Sequence, residues 1–291
     1  MKCQTNEAII CQLMTEIFEN IEFTYDSQKR KHPAVEEFID AIKYRDMIFQ
    51  FVRRDIVARY KRSVLGVLWT MLQPLGMMIV MTIVFSELFH RVEGYAAYLL
   101  SGLIAWTFFS QTTLASLQQV VSGGSLARRI YVPHTAFAIS SMLTGMINLA
   151  ISVIPLVIIA VVLGRPVTWA ILFLPLSILI LSAFSLGIGL LLSTFAVDFP
   201  DIREMYDILL RAWMYVTPII YPESILPEAF RYWILHLNPM YYMVSLFREP
   251  VYNGNLPAVD ITITSVILSI LTLIAGWIYF SKQADSFAYK A

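Results

Sequence analysis

The chain has 291 residues, 58% of them hydrophobic and only 14% charged, and its 21 basic and 21 acidic side chains cancel. Soluble domains carry about a quarter charged residues, whereas several apolar runs here reach the ~20 residues that cross hydrocarbon. The composition therefore excludes a soluble globular protein and points to a polytopic membrane protein. No nucleic-acid partner is expected.

Half of the charged residues precede Ser63. The opening residues (MKCQTNEAII) lack the basic start, continuous apolar core and small-residue cleavage site of a signal peptide. The first span is thus expected to stay and to serve as the insertion signal. Cys3 and Cys11 are the only cysteines and define no metal or redox framework. Over residues 1–23, Ile9, Ile10, Leu13, Ile17 and Ile21 recur at helical spacing. Residues 24–34 form a polar linker, and a second helix is expected from near Val35. Residues 1–46 together are a cytoplasmic extension.

From Met47 to Arg62 (MIFQFVRRDIVARYKR), Ile48, Phe51, Val52, Ile56 and Tyr60 share a helical face, with Arg53, Arg54, Lys61 and Arg62 mostly off it. That layout predicts an interfacial helix with its apolar side in acyl chains and its cations near anionic headgroups. An uncharged run, Val64 to Ser86, follows at once. Within residues 63–291 the pattern predicts six transmembrane helices, near 64–86, 96–119, 135–163, 169–195, 206–221 and 259–280. One set of loops carries Arg53, Arg54, Arg59, Lys61, Arg62, Arg128, Arg129, Arg203, Arg211, Lys282 and Lys290; the other carries only Arg91, Arg165, Arg231 and Arg248. By the positive-inside rule both termini are expected in the cytoplasm. The fifth span is short and ends in Thr217-Pro218 and Tyr221-Pro222. After it, AFRYWILHL and MYYMVSLF flank Asn238-Pro239, and neither piece is long enough to cross. Two short helices over Ser224 to Tyr252 are expected to form a re-entrant hairpin on the outer side, beside a cavity that satisfies their backbone. The expected fold class is all-α: six spans, an N-terminal amphipathic interfacial helix and this external hairpin.

Four stretches carry a family resemblance. RRDIVARYKRSVLGVLWTMLQPL (Arg53 to Leu75) resembles the first segment of ABC-type exporter permeases, in the branch that moves O-antigen, capsule and teichoic acid polymers. YLLSGLIAWTFFS (Tyr98 to Ser110) is similar to that branch's second span. GGSLARRIYVPHTAFAISS (Gly123 to Ser141) is similar to its cytoplasmic loop and third-span start. DFPDIREMYDILLRAWMYVTPIIYP (Asp198 to Pro222) with LNPM (Leu237 to Met240) resembles its fourth loop, fifth span and hairpin. The likeness runs from about Phe49 to the end, and the first 40 or so residues depart from the family's shorter start.

The resemblance implies a homodimeric half-transporter in the bacterial inner membrane. Its partners would be a separate cytoplasmic ATPase carrying ATP and Mg, a lipid-linked glycan as cargo, and the surrounding lipids. The chain has no G-x-x-x-x-G-K-[ST] loop of its own, so no cofactor is expected on it. Ser125, Leu126, Ala127, Arg128, Arg129, Ile130 and Tyr131 are expected to form a short helix stopped by Pro133. Gly123-Gly124 would free its start and Ser122 or Ser125 would cap it. In the family this is the coupling helix that fits a cleft of the ATPase. Arg53, Arg54, Arg59, Tyr60, Lys61 and Arg62 are the candidate cytoplasmic gate. Asp207 and Arg211, four apart on a helix face, are placed to pair and to reach Arg53 and Arg54. Trp69, Phe85, Trp106, Phe108, Phe109, Trp213 and Tyr215 are candidate channel aromatics, since sugar rings stack on aromatic planes. The four histidines are scattered, no metal-ligand spacing occurs, and no catalytic constellation is visible. A drug or small-lipid exporter, a membrane-embedded glycan transferase and an ion-coupled carrier stay open as alternatives.

Overall fold

The computed structural model describes residues 33–61, 66, 68–90, 92–127 and 132–290, without the side chains of 60, 124–127 and 285–290. The expected helix over residues 1–23, both cysteines, and the linker up to residue 32 lie outside the described residues. Among the described residues every regular element is a helix. They are α1 (Pro33–Lys43), α2 (Arg45–Tyr60), α3 (Leu68–Phe85), α4 (Tyr95–Ala127), α5 (Thr135–Val162), α6 (Leu174–Asp198), α7 (Ile202–Val216), α8 (Glu228–His236), α9 (Pro239–Arg248) and α10 (Val259–Lys290).

Four segments are long and apolar enough to cross a bilayer: Leu68–Phe85, Thr135–Val162, Trp169–Asp198 and Val259–Ala284. They coincide with the expected first, third, fourth and sixth spans. The second expected span falls in α4, whose 33 residues reach about 50 Å but are interrupted by Gln111, Gln118 and Gln119. The fifth falls in α7, whose 15 residues rise only about 22 Å, short of a ~30 Å hydrocarbon core.

The bundle is held by close helix contact. α6 and α10 meet at Gly187 and Gly276, where a Cβ on Gly276 would collide with the Gly187 carbonyl. Backbone-to-backbone approach of this kind is how helices associate where lipid removes the hydrophobic drive. The chain past α7 is non-helical through 217–222, and its carbonyls are taken up by side chains. Tyr95 Oη donates to Ile220 O (2.8 Å), Tyr98 Oη to Tyr221 O (3.1 Å) and Arg248 Nη1 to Pro218 O (3.1 Å). Irregular backbone inside an apolar bundle survives only with such partners.

The two short helices expected after the fifth span are present as α8 and α9, and Asn238 is their hinge. Its Oδ1 accepts from Met240 N–H (3.1 Å), capping α9, and from the Trp213 indole N–H (2.8 Å); its Nδ2 donates to Thr217 Oγ1 (2.9 Å). α9 is buried from Met243 to Arg248. Arg248, read from the sequence as an outer loop charge, is 5% exposed, lies over the Tyr98 ring at 3.8 Å, and donates to Ser101 Oγ (3.3 Å).

Two expectations need correction. On α2, Ile48, Phe51 and Val52 rest on protein and not on acyl chains. Ile48, Phe51 and Val52 are buried in a cluster with Val120, Val132, Ala136, Leu190 and Phe280, and Phe51 stacks on Phe137 at 5.2 Å. α1 is clamped alongside: Trp277 Nε1 donates to Ala34 O (2.9 Å), and Thr135 Oγ1 to Glu37 Oε2 (2.8 Å). An amphipathic stripe requires an apolar counter-surface, and helix ends supply one as well as lipid does.

The second correction concerns Gly123-Gly124, which do not open a new helix. α4 runs through them to Ala127, and Gly123 lies against the Phe137 ring, where a side chain would clash. Ser122 Oγ donates back to Gln118 O (2.8 Å), within α4. Ser125, Leu126 and Ala127 are thus the last turn of α4, while Arg128, Arg129, Ile130 and Tyr131 lie outside the described residues.

Candidate functional site: a polar groove between four helices

A cavity of about 790 Å³ opens between α2, α3, α4 and α5. Its wall follows helical spacing. Ile104, Thr107, Phe108, Gln111, Thr112, Ala115, Gln118 and Gln119 come from one face of α4; Ser141, Thr144, Gly145, Asn148 and Ser152 come from one face of α5. From Ile104 to Gln119 the α4 wall is about 22 Å long. Trp69, Thr70, Gln73 and Pro74 of α3 form the third side, and Asp55, Ala58 and Arg59 of α2 close one mouth. Half of the described lining residues carry neutral hydroxyl or amide groups, and among the described residues Asp55 and Arg59 are its only charged ones.

The mouth is tied by a short network. Asp55 accepts from Arg54 Nη2 (2.8 Å) and from Gln119 Nε2 (2.6 Å), and Gln119 Oε1 accepts from Ser140 Oγ (3.3 Å). Deeper in, Gln111 Nε2 donates to Gln73 Oε1 (3.1 Å), linking α4 to α3. Polar side chains gathered on one face inside an otherwise apolar bundle mark a water-accessible or substrate-facing surface.

Of the candidate gate residues, Asp55's neighbours Arg54 and Arg59 belong to this mouth, Arg59 as a lining residue. Arg53 and Lys61 are exposed, Tyr60 ends α2, and Arg62 lies outside the described residues. Arg54 pairs with Asp55 on its own helix and also covers the Phe51 ring at 5.0 Å. The expected pair on α7 forms, Arg211 Nη2 to Asp207 Oδ2 at 2.6 Å, but neither residue lines the groove.

The candidate aromatics divide. Trp69 and Phe108 line the groove. Trp106, Phe109 and Trp213 instead pack on one another, with ring centroids 5.5–5.9 Å apart. Phe85 stacks on Phe89 at 5.9 Å, and Tyr215 is exposed. Gln73, Gln111, Gln118, Gln119, Thr112 and Thr144 were not singled out from the sequence. The signal was present in the second span, where three glutamines are placed in a helix that otherwise reads as transmembrane. No group of three or more His, Cys, Asp or Glu is placed to hold a metal among the described residues.

A helical bundle with bilayer-length apolar segments and a polar groove along its second long helix is a membrane transport protein in build. Residues 47–252 match the family model for the ABC-2 type transporter, and the chain belongs to that family. Among its relatives, the O-antigen export system permease protein RfbA of Myxococcus xanthus is 27% identical over 248 residues, covering 84% of this chain and 95% of that one. The RfbA protein of Klebsiella pneumoniae is 26% identical, with 84% and 94% covered. The polysialic acid transport protein KpsM of Escherichia coli is 26% identical, with 69% and 79% covered.

Proposed function

We propose that the chain is the permease subunit of an ATP-driven exporter that carries a lipid-linked polysaccharide across a bacterial inner membrane. The observation that carries this reading is the groove: a neutral, hydroxyl- and amide-lined surface about 22 Å long in a chain of the ABC-2 type transporter family. Relatives named for O-antigen and polysialic acid transport support a glycan cargo. In this reading α4 and α7 complete six spans, both termini face the cytoplasm, and α8–α9 dips into the outer leaflet as the outer gate.

Two copies enclose the path and each binds a separate ATPase, which supplies the ATP and Mg. The segment Ser125 to Tyr131, between α4 and α5 in the chain, is the docking knob. α2, seated on the cytoplasmic ends of α4, α5 and α10, relays its movement to the groove mouth through Asp55 and Gln119, as rigid-body motion of packed helices. The test is co-purification with a candidate ABC ATPase subunit from the same organism. Replacing Arg128 and Ile130 should reduce recovery of the ATPase and abolish stimulation of ATP hydrolysis by lipid-linked glycans. Undiminished recovery and stimulation would reject the docking assignment.

A further inference from the structure

α1 carries three faces, each at helical spacing. Ala34, Glu37 and Ala41 face the bundle: Trp277 Nε1 donates to Ala34 O (2.9 Å), Thr135 Oγ1 donates to Glu37 Oε2 (2.8 Å), and Ala41 is buried. Glu36, Asp40 and Lys43 form a polar flank. Val35, Phe38, Ile39 and Ile42 form the opposite flank, and the described residues leave all four 42–56% exposed. An apolar stripe beside a polar one requires a counter-surface, and here the bundle does not supply it. The apolar flank adjoins α10, where the Phe38 ring meets Trp277 edge-on at 6.1 Å. α10 has its own exposed stripe, Ile267, Ile270, Ile274 and Ile278, on a segment long and apolar enough to cross a bilayer. No charged residue falls between Asp260 and Lys282, and Trp277 lies about 7.5 Å short of Lys282 along the axis. Trp277 is thus at the level where hydrocarbon gives way to headgroups, the depth that tryptophan favours.

We propose that α1 lies along the membrane surface, with Val35, Phe38, Ile39 and Ile42 set among acyl chains and Glu36, Asp40 and Lys43 in water. The partner of this face is a lipid surface. A helix with one flank on protein, one apolar and one charged fits the line where bundle, lipid and water meet. The apolar flank also continues the exposed stripe of α10 at the Phe38–Trp277 contact. A protein partner would have to enter between α1 and that stripe to cover the same residues. The polar flank sums to one negative charge, so apolar burial holds the seat and attraction to anionic headgroups does not. Only Tyr44 separates α1 from α2. The seat therefore anchors the N-terminal end of the helix that closes the groove mouth, whatever cargo the groove takes.

The test uses the full chain in phosphatidylcholine nanodiscs, with Cys3→Ser and Cys11→Ser and a fluorophore on one new cysteine. The new cysteine is Ile39→Cys or Ile42→Cys on the apolar flank, or Lys43→Cys on the polar flank. All three side chains are exposed, so the substitutions leave the packing of α1 on the bundle in place. Lipid brominated on its acyl chains should quench the labels at 39 and 42 at least about threefold more than the label at 43. Aqueous iodide should do the reverse. Quenching by bromolipid should be undiminished in molar salt, because no headgroup charge holds the helix. Equal access of iodide to all three labels would put the stripe in water and overturn the proposal. Labels at 39 and 42 shielded from both quenchers would show a protein cover and overturn it too. Shielding from iodide that appears only when a candidate ABC ATPase is added would assign the face to that subunit and overturn the lipid seat. Bromolipid quenching lost in molar salt would reject apolar burial as its cause.

Discussion

Replacing Asn238 tests whether the α8–α9 hinge is fastened as the geometry indicates. Asn238 is 6% exposed and serves three partners on α7, the turn after it, and α9. In Asn238→Ala the loss of the α9 cap is worth about 1 kcal/mol. The half-buried Trp213 indole N–H loses its acceptor, which adds about 1 kcal/mol at the lower end of the range for an orphaned donor. Thr217 contributes little, because its hydroxyl keeps its own bond to Trp213 O (3.0 Å). The sum is about 2 kcal/mol, or about 1.6 kcal/mol if the Trp213 bond is worth only the ~0.6 kcal/mol average for side-chain bonds in membrane proteins. Asn238→Ser retains a capping oxygen but is too short to reach Trp213, so it should recover about half of the loss. Unfolding in mixed micelles by rising SDS fraction measures both. An alanine variant within about 0.5 kcal/mol of the parent, or a serine variant no better than alanine, would refute the hinge.

Other elements give sharper phenotypes. Gly276→Leu forces a side chain into the Gly187 carbonyl and should destabilise by about 3 kcal/mol or more, seen as loss of a monodisperse peak in size-exclusion chromatography. Phe51→Ala empties the site stacked on Phe137 and should cost about 3 kcal/mol. Its signature is faster tryptic cleavage at Arg53 and Arg54 as α2 lifts, with unchanged cleavage elsewhere. Arg248→Lys keeps the charge but not the planar fork that covers Tyr98 while reaching Pro218 O and Ser101. It should lower stability by about 1–2 kcal/mol in the SDS titration.

Periodicity and charge made much of this architecture legible. The uninterrupted apolar runs gave the positions of α3, α5, α6 and α10 closely, because length and absence of charge are sufficient to mark such segments. Asn238-Pro239 marked the α8–α9 hinge, since Asn caps and Pro suits the first helical turn. The seat of α2 was not legible. Hydropathy shows that Ile48, Phe51 and Val52 need an apolar surface but not whether lipid or Phe137 supplies it. Gly123-Gly124 misled for a related reason: a glycine that frees a backbone and one that admits a neighbouring ring look alike in sequence. The groove was half visible. Trp69 and Phe108 stood out as aromatics, but Trp106, Phe109 and Trp213 share their chemistry and differ only in facing inward. The threonines and glutamines of α4 escaped notice because each is unremarkable alone, and only the fold lines them up against Thr144 and Gly145.

The central claim is that this chain is a passive path driven by a separate ATPase. Its most direct test is reconstitution into sealed liposomes with and without that ATPase, using a lipid-linked neutral polysaccharide and reading its exposure on the far leaflet with an impermeant glycosidase. The account predicts exposure only when both proteins and hydrolysable ATP are present. Exposure at the same rate by the chain alone, or with the ATPase and no ATP, would contradict it.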